Sequence, residues 1–121
     1  MQGFVWLDCR LDGVQSFIAN LSKDALQQYP SLSSVQLDDH FAIPVALIPQ
    51  NASATVVQEL TRAAIQVTSS VQNFGRFSLS PATLDFALSH YAVDWLDWAD
   101  QRLFSTFYPQ MYGRIVLQAD K

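Results

Sequence analysis

The chain has 121 residues, half of them hydrophobic and 15% charged, with four glycines and five prolines. That is one domain, able to bury about two-thirds of its unfolded surface, and it excludes a disordered, low-complexity or fibrous chain. The net charge of −4, with seven Lys and Arg spread singly along the chain, excludes the basic stripe that long nucleic acids or an anionic membrane surface require.

Residues 3–11 place Val5, Leu7, Cys9 and Leu11 on one face and Phe4 and Trp6 on the other, predicting a strand covered on both sides. Cys9 is the only cysteine; in an apolar run it is expected to be a buried, inert thiol. No basic region followed by a long apolar core opens the sequence and no apolar stretch approaches membrane-spanning length, so neither signal peptide nor membrane is expected and the cytoplasm is the natural compartment.

Asp12-Gly13-Val14-Gln15 reads as a capping box. It opens a helix that carries Val14, Phe17, Ile18, Leu21, Ala25 and Tyr29 at helical spacing and stops at Pro30. Residues 33–37 suggest a short edge strand. Residues 40–48 read as a buried strand, with a bulge or unpaired segment at Pro44 and an end at Pro49.

Ser53 or Thr55 is the expected cap of a second helix, whose core stripe is Val57, Leu60, Ala64, Val67 and Val71. Gly75 is the expected left-handed cap. Phe77, Leu79, Leu84, Phe86 and Leu88 alternate, and so do Tyr91, Val93 and Trp95 beyond Ser89-His90. This predicts a hairpin; a helix starting at Ser80-Pro81 is the rival. A helix follows from Asp97, burying Leu96, Ala99, Leu103 and Phe107 and ending at Tyr108-Pro109. Residues 112–118 form the last predicted strand. The order is β-α-β-α-β-β-α-β in a single α+β domain over 1–121, with two βαβ-like halves, ferredoxin-like in outline.

With residues 35–43 reading Val-Gln-Leu-Asp-Asp-His-Phe-Ala-Ile after a strand and helix, and Pro109-Gln110-Met111-Tyr112 after the last helix, the chain resembles the two-histidine phosphoesterases. Members include RNA 2′,3′-cyclic phosphodiesterases and pair two His-x-Ser/Thr-hydrophobic strands across a pseudo-twofold cleft. The resemblance implies that His40 matches the first histidine and Ala42 its Ser/Thr, while Gln110 and Tyr112 take the second pair. One imidazole must accept a proton and the other donate one. Gln cannot titrate and Ala donates nothing to a phosphate oxygen, so that chemistry is expected to be lost.

His40, a lone His after two Asp, reads first as a turn or cap residue; it is also the one catalytic candidate, and His40, Gln110 and Tyr112 are candidate ligand contacts. His90 reads as a turn residue. Asp38, Asp39 and His40 could hold a metal, but neighbours on a strand diverge, so no metal site is expected, nor any cofactor. Asp94, Trp95, Asp97, Trp98 and Asp100 form the densest acidic-aromatic group. They read either as strand end and first helical turn with Trp in the core, or as a surface for a basic protein partner.

Three functions follow. The first is a non-catalytic domain that binds a protein partner, a second copy of itself or a small phosphate-bearing ligand, for which one or two Arg suffice. The second is an active phosphodiesterase using His40 with Tyr112 or His90. The third is a ferredoxin-like assembly or regulatory subunit.

Overall fold

Helix α2 (Ser53–Val71) forms where the 3-4-3-4 spacing places it, and the rest packs around it. Val56, Leu60, Ala63, Ala64, Val67 and Val71 are all buried, and each large aliphatic among them contributes about 1.5–3 kcal/mol through burial. Its N-cap position falls on Ala52, after a short 3-10 turn over Gln50–Ala52, and not on Ser53 or Thr55. The computed structural model describes residues 6–111. Within them α1 (Asp12–Gln28), β1 (Val35–Leu37), α2, β2 (Phe77–Leu79), α3 (Leu84–Tyr91), α4 (Trp95–Asp100) and β3 (Thr106–Phe107) follow in order. This is a mixed helix-and-strand fold, compatible with the α+β class, with a small three-stranded sheet; its element order over the described residues departs from the expected ferredoxin-like β-α-β-α-β-β-α-β. Both strand pairs are parallel, and β2 lies between β1 and β3. Buried along its whole length, β2 is the fully apolar-flanked strand that a parallel sheet favours.

Four predicted elements take other forms. Residues 6–11 turn instead of extending: the Asp8 carboxylate accepts the backbone N–H of Arg10 at 3.0 Å and Leu11 N–H donates to Asp8 O, an Asx turn that competes with any ladder. The capping box is absent too. Asp12 is already helical, Leu11 is the N-cap, and the Gln15 amide donates to Cys9 O at 2.9 Å.

Residues 40–48 form no strand. Asp38 and Asp39 start a turn, Phe41, Ala42 and Ile43 dip into the core, and Val45–Leu47 make a 3-10 turn in which Pro44 O accepts Leu47 N–H. Pro44 favours that outcome because it cannot donate to a ladder.

The hairpin over 76–95 is replaced by β2, α3 and the start of α4. The spacing Leu84, Ala87, Leu88, Tyr91 is as helical as Leu84, Phe86, Leu88 is alternating, and Ala87 is the buried residue of α3. The rival helix reading was the nearer one. The last helix accordingly ends at Asp100, and Leu96 is exposed instead of buried. The predicted strand over 112–118 lies outside the described residues.

Gly75 does not adopt a left-handed conformation. Its lack of a side chain serves close packing: a Cβ there would stand 2.8 Å from Leu26 Cδ2. The left-handed positions belong instead to Ala92 (φ 59°) and Arg102 (φ 57°), each just past a helix end.

Helix α1 is the largest surprise. Its buried residues are Gln15, Ala19, Ser22 and Leu26, while Phe17 is 59% and Leu21 61% exposed. The stripe that looks like a core face points largely outward. Close packing against α2 requires small residues, and Ala19 and Ser22 supply them.

Candidate functional site

At the carboxyl end of β1 the chain turns sharply. Asp38 Oδ1 accepts the backbone N–H of His40 at 2.9 Å, which fixes the turn. His40 Nδ1 lies 3.3 Å from a carboxylate oxygen of both Asp38 and Asp39. The three offer ligand atoms within 4.8 Å of one another. They converge because the segment is a turn, so the divergence expected of strand neighbours does not apply. They are the group among the described residues that could hold a cation. As fixed charges, the two carboxylates make this corner acidic.

Beside the turn lies a cleft of about 290 Å³. Trp6, Leu7, Cys9, Ile18, Leu37 and Phe41 make it mostly apolar, and Asp38 and His40 stand at its polar side. The turn at 8–11 brings in Trp6 to Cys9, β1 ends on Leu37, and α1 contributes Ile18. Cys9 is 3% exposed, and burial pushes its thiol above the ordinary range. It is the buried lining thiol its sequence context suggests.

The cleft is continued by a row of five rings. His40 stacks on Trp6 at 5.2 Å, Trp6 tilts against Tyr91 at 5.9 Å, Tyr91 meets Phe86 at 5.6 Å, and Phe86 stacks on His90 at 4.0 Å. Backbone bonding holds the two halves together, since Ile43 N–H donates to Tyr91 O at 3.1 Å. The row thus runs from the turn after β1 to the carboxyl end of α3, with His40, Phe86 and His90 exposed.

The remaining candidates divide. Gln110 lies beyond the carboxyl end of β3, where its amide donates to Ser80 O at 2.9 Å and its backbone N–H to Pro81 O. It pins the chain to the segment after β2, as a latch between backbones. Tyr112 lies outside the described residues. His90 is no turn residue; it lies in the last turn of α3, with Nδ1 2.9 Å from Ser89 Oγ.

The acidic-aromatic group is mostly structural. Trp98 is 0% exposed and donates to Thr61 Oγ1 at 2.9 Å, so it is removed from any partner surface. Trp95 donates to Ala82 O. Asp94 caps α4 through Asp97 N–H, and Asp97 accepts from Gln101. Asp100 is exposed at the helix end. Apolar aromatics beside acids do occur in this fold, but at Trp6 and Tyr91 near Asp38 and Asp39. No local pattern could have shown this, because residues 6, 40 and 91 meet only through the fold.

Among the described residues no helix is long and apolar enough to cross a membrane. Comparison of the sequence with protein-family models and with curated proteins gives no match.

Proposed function

We propose that this domain is a non-catalytic interaction module that takes a basic, apolar-anchored segment of a protein partner at its carboxyl sheet end. The observation that carries this reading is the ring row from His40 to His90 lying beside the apolar cleft, with Asp38 and Asp39 at its side. Large aromatics supply contact area, and their faces attract cations. The carboxylates reward a positive charge next to the anchor and oppose a phosphate at His40. Open α/β sheets place ligands outside the carboxyl ends of their strands, which is where this site lies. A partner side chain in the cleft would cover Leu7, which is 57% exposed.

Nothing in this reading is taken from the phosphoesterase resemblance: the strand expected at His40 is a turn followed by a 3-10 segment, and Tyr112 of the second stretch lies outside the described residues. Its test is a ¹⁵N NMR titration with the peptides Lys-Trp-Lys and Glu-Trp-Glu. Saturable shifts at Trp6, Phe41 and Tyr91 are expected with the first, and binding about fivefold or more weaker with the second. Equal affinity for the two, or shifts confined to other regions, overturns the reading. His40-dependent turnover of a 2′,3′-cyclic nucleotide refutes its non-catalytic part.

A further inference from the structure

A second cavity, of about 430 Å³, lies at the opposite end of the sheet. Phe77, the first residue of β2, and Ser105, which precedes β3, mark its position. Phe77 and Phe104 are both buried and pack 5.2 Å apart, giving it an apolar wall. Gln72, Gly75, Arg102 and Ser105 supply its accessible polar groups.

Each of these polar groups can donate a hydrogen bond, and among the described residues no carboxylate lines the cavity. Arg102 forms no ion pair with any described residue, in contrast to Arg10, which is held by Asp8 and Glu59. Ser105 Oγ accepts the Phe77 N–H at 3.4 Å, leaving its own hydrogen for another partner. The Gly75 N–H has no acceptor among the described residues. Thr68 also lines the cavity, but its hydroxyl donates to Ala64 O.

The backbone at Arg102 sharpens the point. Its φ of 57° falls in the left-handed region, where glycine is at ease and a side chain costs free energy. The bonds from Arg102 N–H to Ala99 O and from Leu103 N–H to Trp98 O close α4 in the way glycine usually does. The chain thus carries a cation on a strained position that opens onto a cavity lined by no acid among the described residues.

The carboxyl ends of α2 and α4 also lie here, and helix carboxyl ends disfavour anions. Part of their last carbonyls are occupied, however: Thr68 O by Gln72, Val71 O by Phe74, and Trp98 O and Ala99 O by Leu103 and Arg102. What remains is an attenuated dipole, and a full guanidinium charge outweighs it.

We infer that this cavity binds a small organic anion, with its phosphate or carboxylate at Arg102, Ser105 and the Gly75 amide and its apolar body against Phe77 and Phe104. The site is independent of the interaction surface above. A phosphate group, disfavoured beside Asp38 and Asp39, finds its complement here instead.

The test titrates the protein with phenyl phosphate, benzoate, inorganic phosphate and benzylammonium, read by amide shifts at residues 72–77 and 102–107. Saturable binding of phenyl phosphate or benzoate is expected, the tighter of the two identifying the head group. Both should exceed inorganic phosphate, and benzylammonium should not bind. Arg102→Gln is expected to weaken the organic anions about tenfold or more.

Arg102→Gly separates binding from folding. It should raise the thermal midpoint by a few degrees, about what relieving one left-handed side chain gives, while losing the same affinity. Full affinity in Arg102→Gly, equal affinity for inorganic phosphate, equal binding of benzylammonium, or no saturation by either organic anion overturns the inference.

Discussion

The two ends of the sheet carry opposite chemistry on one small scaffold. At the carboxyl end β1 runs into Asp38, Asp39 and His40, beside Trp6 and an apolar cleft. At the amino end β2 and β3 begin beside Arg102, Gln72 and Ser105, with no acid among the described lining groups. The strands contribute little to this difference: β1 and β3 are three and two residues long. Turn residues set the polarity, and turns are where a scaffold tolerates functional groups. The lesson is that in this fold function is to be sought in the residues flanking each strand.

Trp98 tests whether the two ends share one support. Its ring sits edge-on to Phe41 at 6.0 Å and stacks on Phe104 at 6.2 Å, so one side chain backs the cleft and the opposite cavity. Trp98→Ala is expected to cost about 3–5 kcal/mol in urea unfolding, the range for a fully buried aromatic. That is a large share of the total stability of a single domain. Peptide and anion responses should weaken together. Loss at one end alone would show that the ends are separately supported.

Trp6 separates them. It is half-buried, and it is the ring that joins His40 to Tyr91. Trp6→Ala should weaken Lys-Trp-Lys about tenfold, as loss of a central aromatic anchor does, and leave the response to phenyl phosphate unchanged. A parallel fall in both affinities would merge the two sites into one.

How much of this was legible beforehand varies by element. Helix α2 was, because its apolar stripe is unbroken and buried, and so was the edge strand at 35–37. The α+β class followed from these. The cleft was not, because its rings come from residues far apart in sequence, and the acids that look like a surface at 94–100 mostly cap and brace α4. The hairpin failed because Leu84 to Tyr91 satisfies two periods at once, and packing of Ala87 decides for the helix. Helix α1 failed differently: the larger apolar stripe was visible, but interhelical spacing selects the smaller one.

That last contrast is measurable on α1 itself. Leu26, on the buried face of α1, packs against Gly75. Leu26→Ala is expected to cost about 2–3 kcal/mol in the same unfolding experiment. Leu21→Ala, one turn and a half earlier on the exposed face, should change stability by less than about 0.5 kcal/mol. Comparable losses at both positions would mean that α1 is rotated in solution so that its apolar stripe faces inward, and would redraw the Ile18 side of the cleft.

The smallest expected effect is a pH dependence that the two ends should not share. Arg10 binds the Asp8 carboxylate through Nε and Nη2, each at 3.0 Å, and reaches Glu59 on α2 through Nη1. The turn that carries Trp6, Leu7 and Cys9 is thereby tied to α2. The hydrogen bond from Arg10 is the chief reason that the Asp8 carboxyl lies below its ordinary value. A carboxylate depressed in the folded state adds stability above its unfolded pKa of about 3.9 and loses it as pH falls through the folded value. Both partners are about a third exposed, so the contribution stays below about 1 kcal/mol. Asp8→Asn should therefore be slightly less stable than the wild type at neutral pH, and the difference should vanish in acid. Because the tie serves only the turn at 8–11, NMR shifts on acidification through this window should appear around Trp6 and Cys9 in the wild type and be reduced in Asp8→Asn. Those at Arg102 and Ser105 should match in the two proteins, and a difference there would mean that the ends communicate through α2.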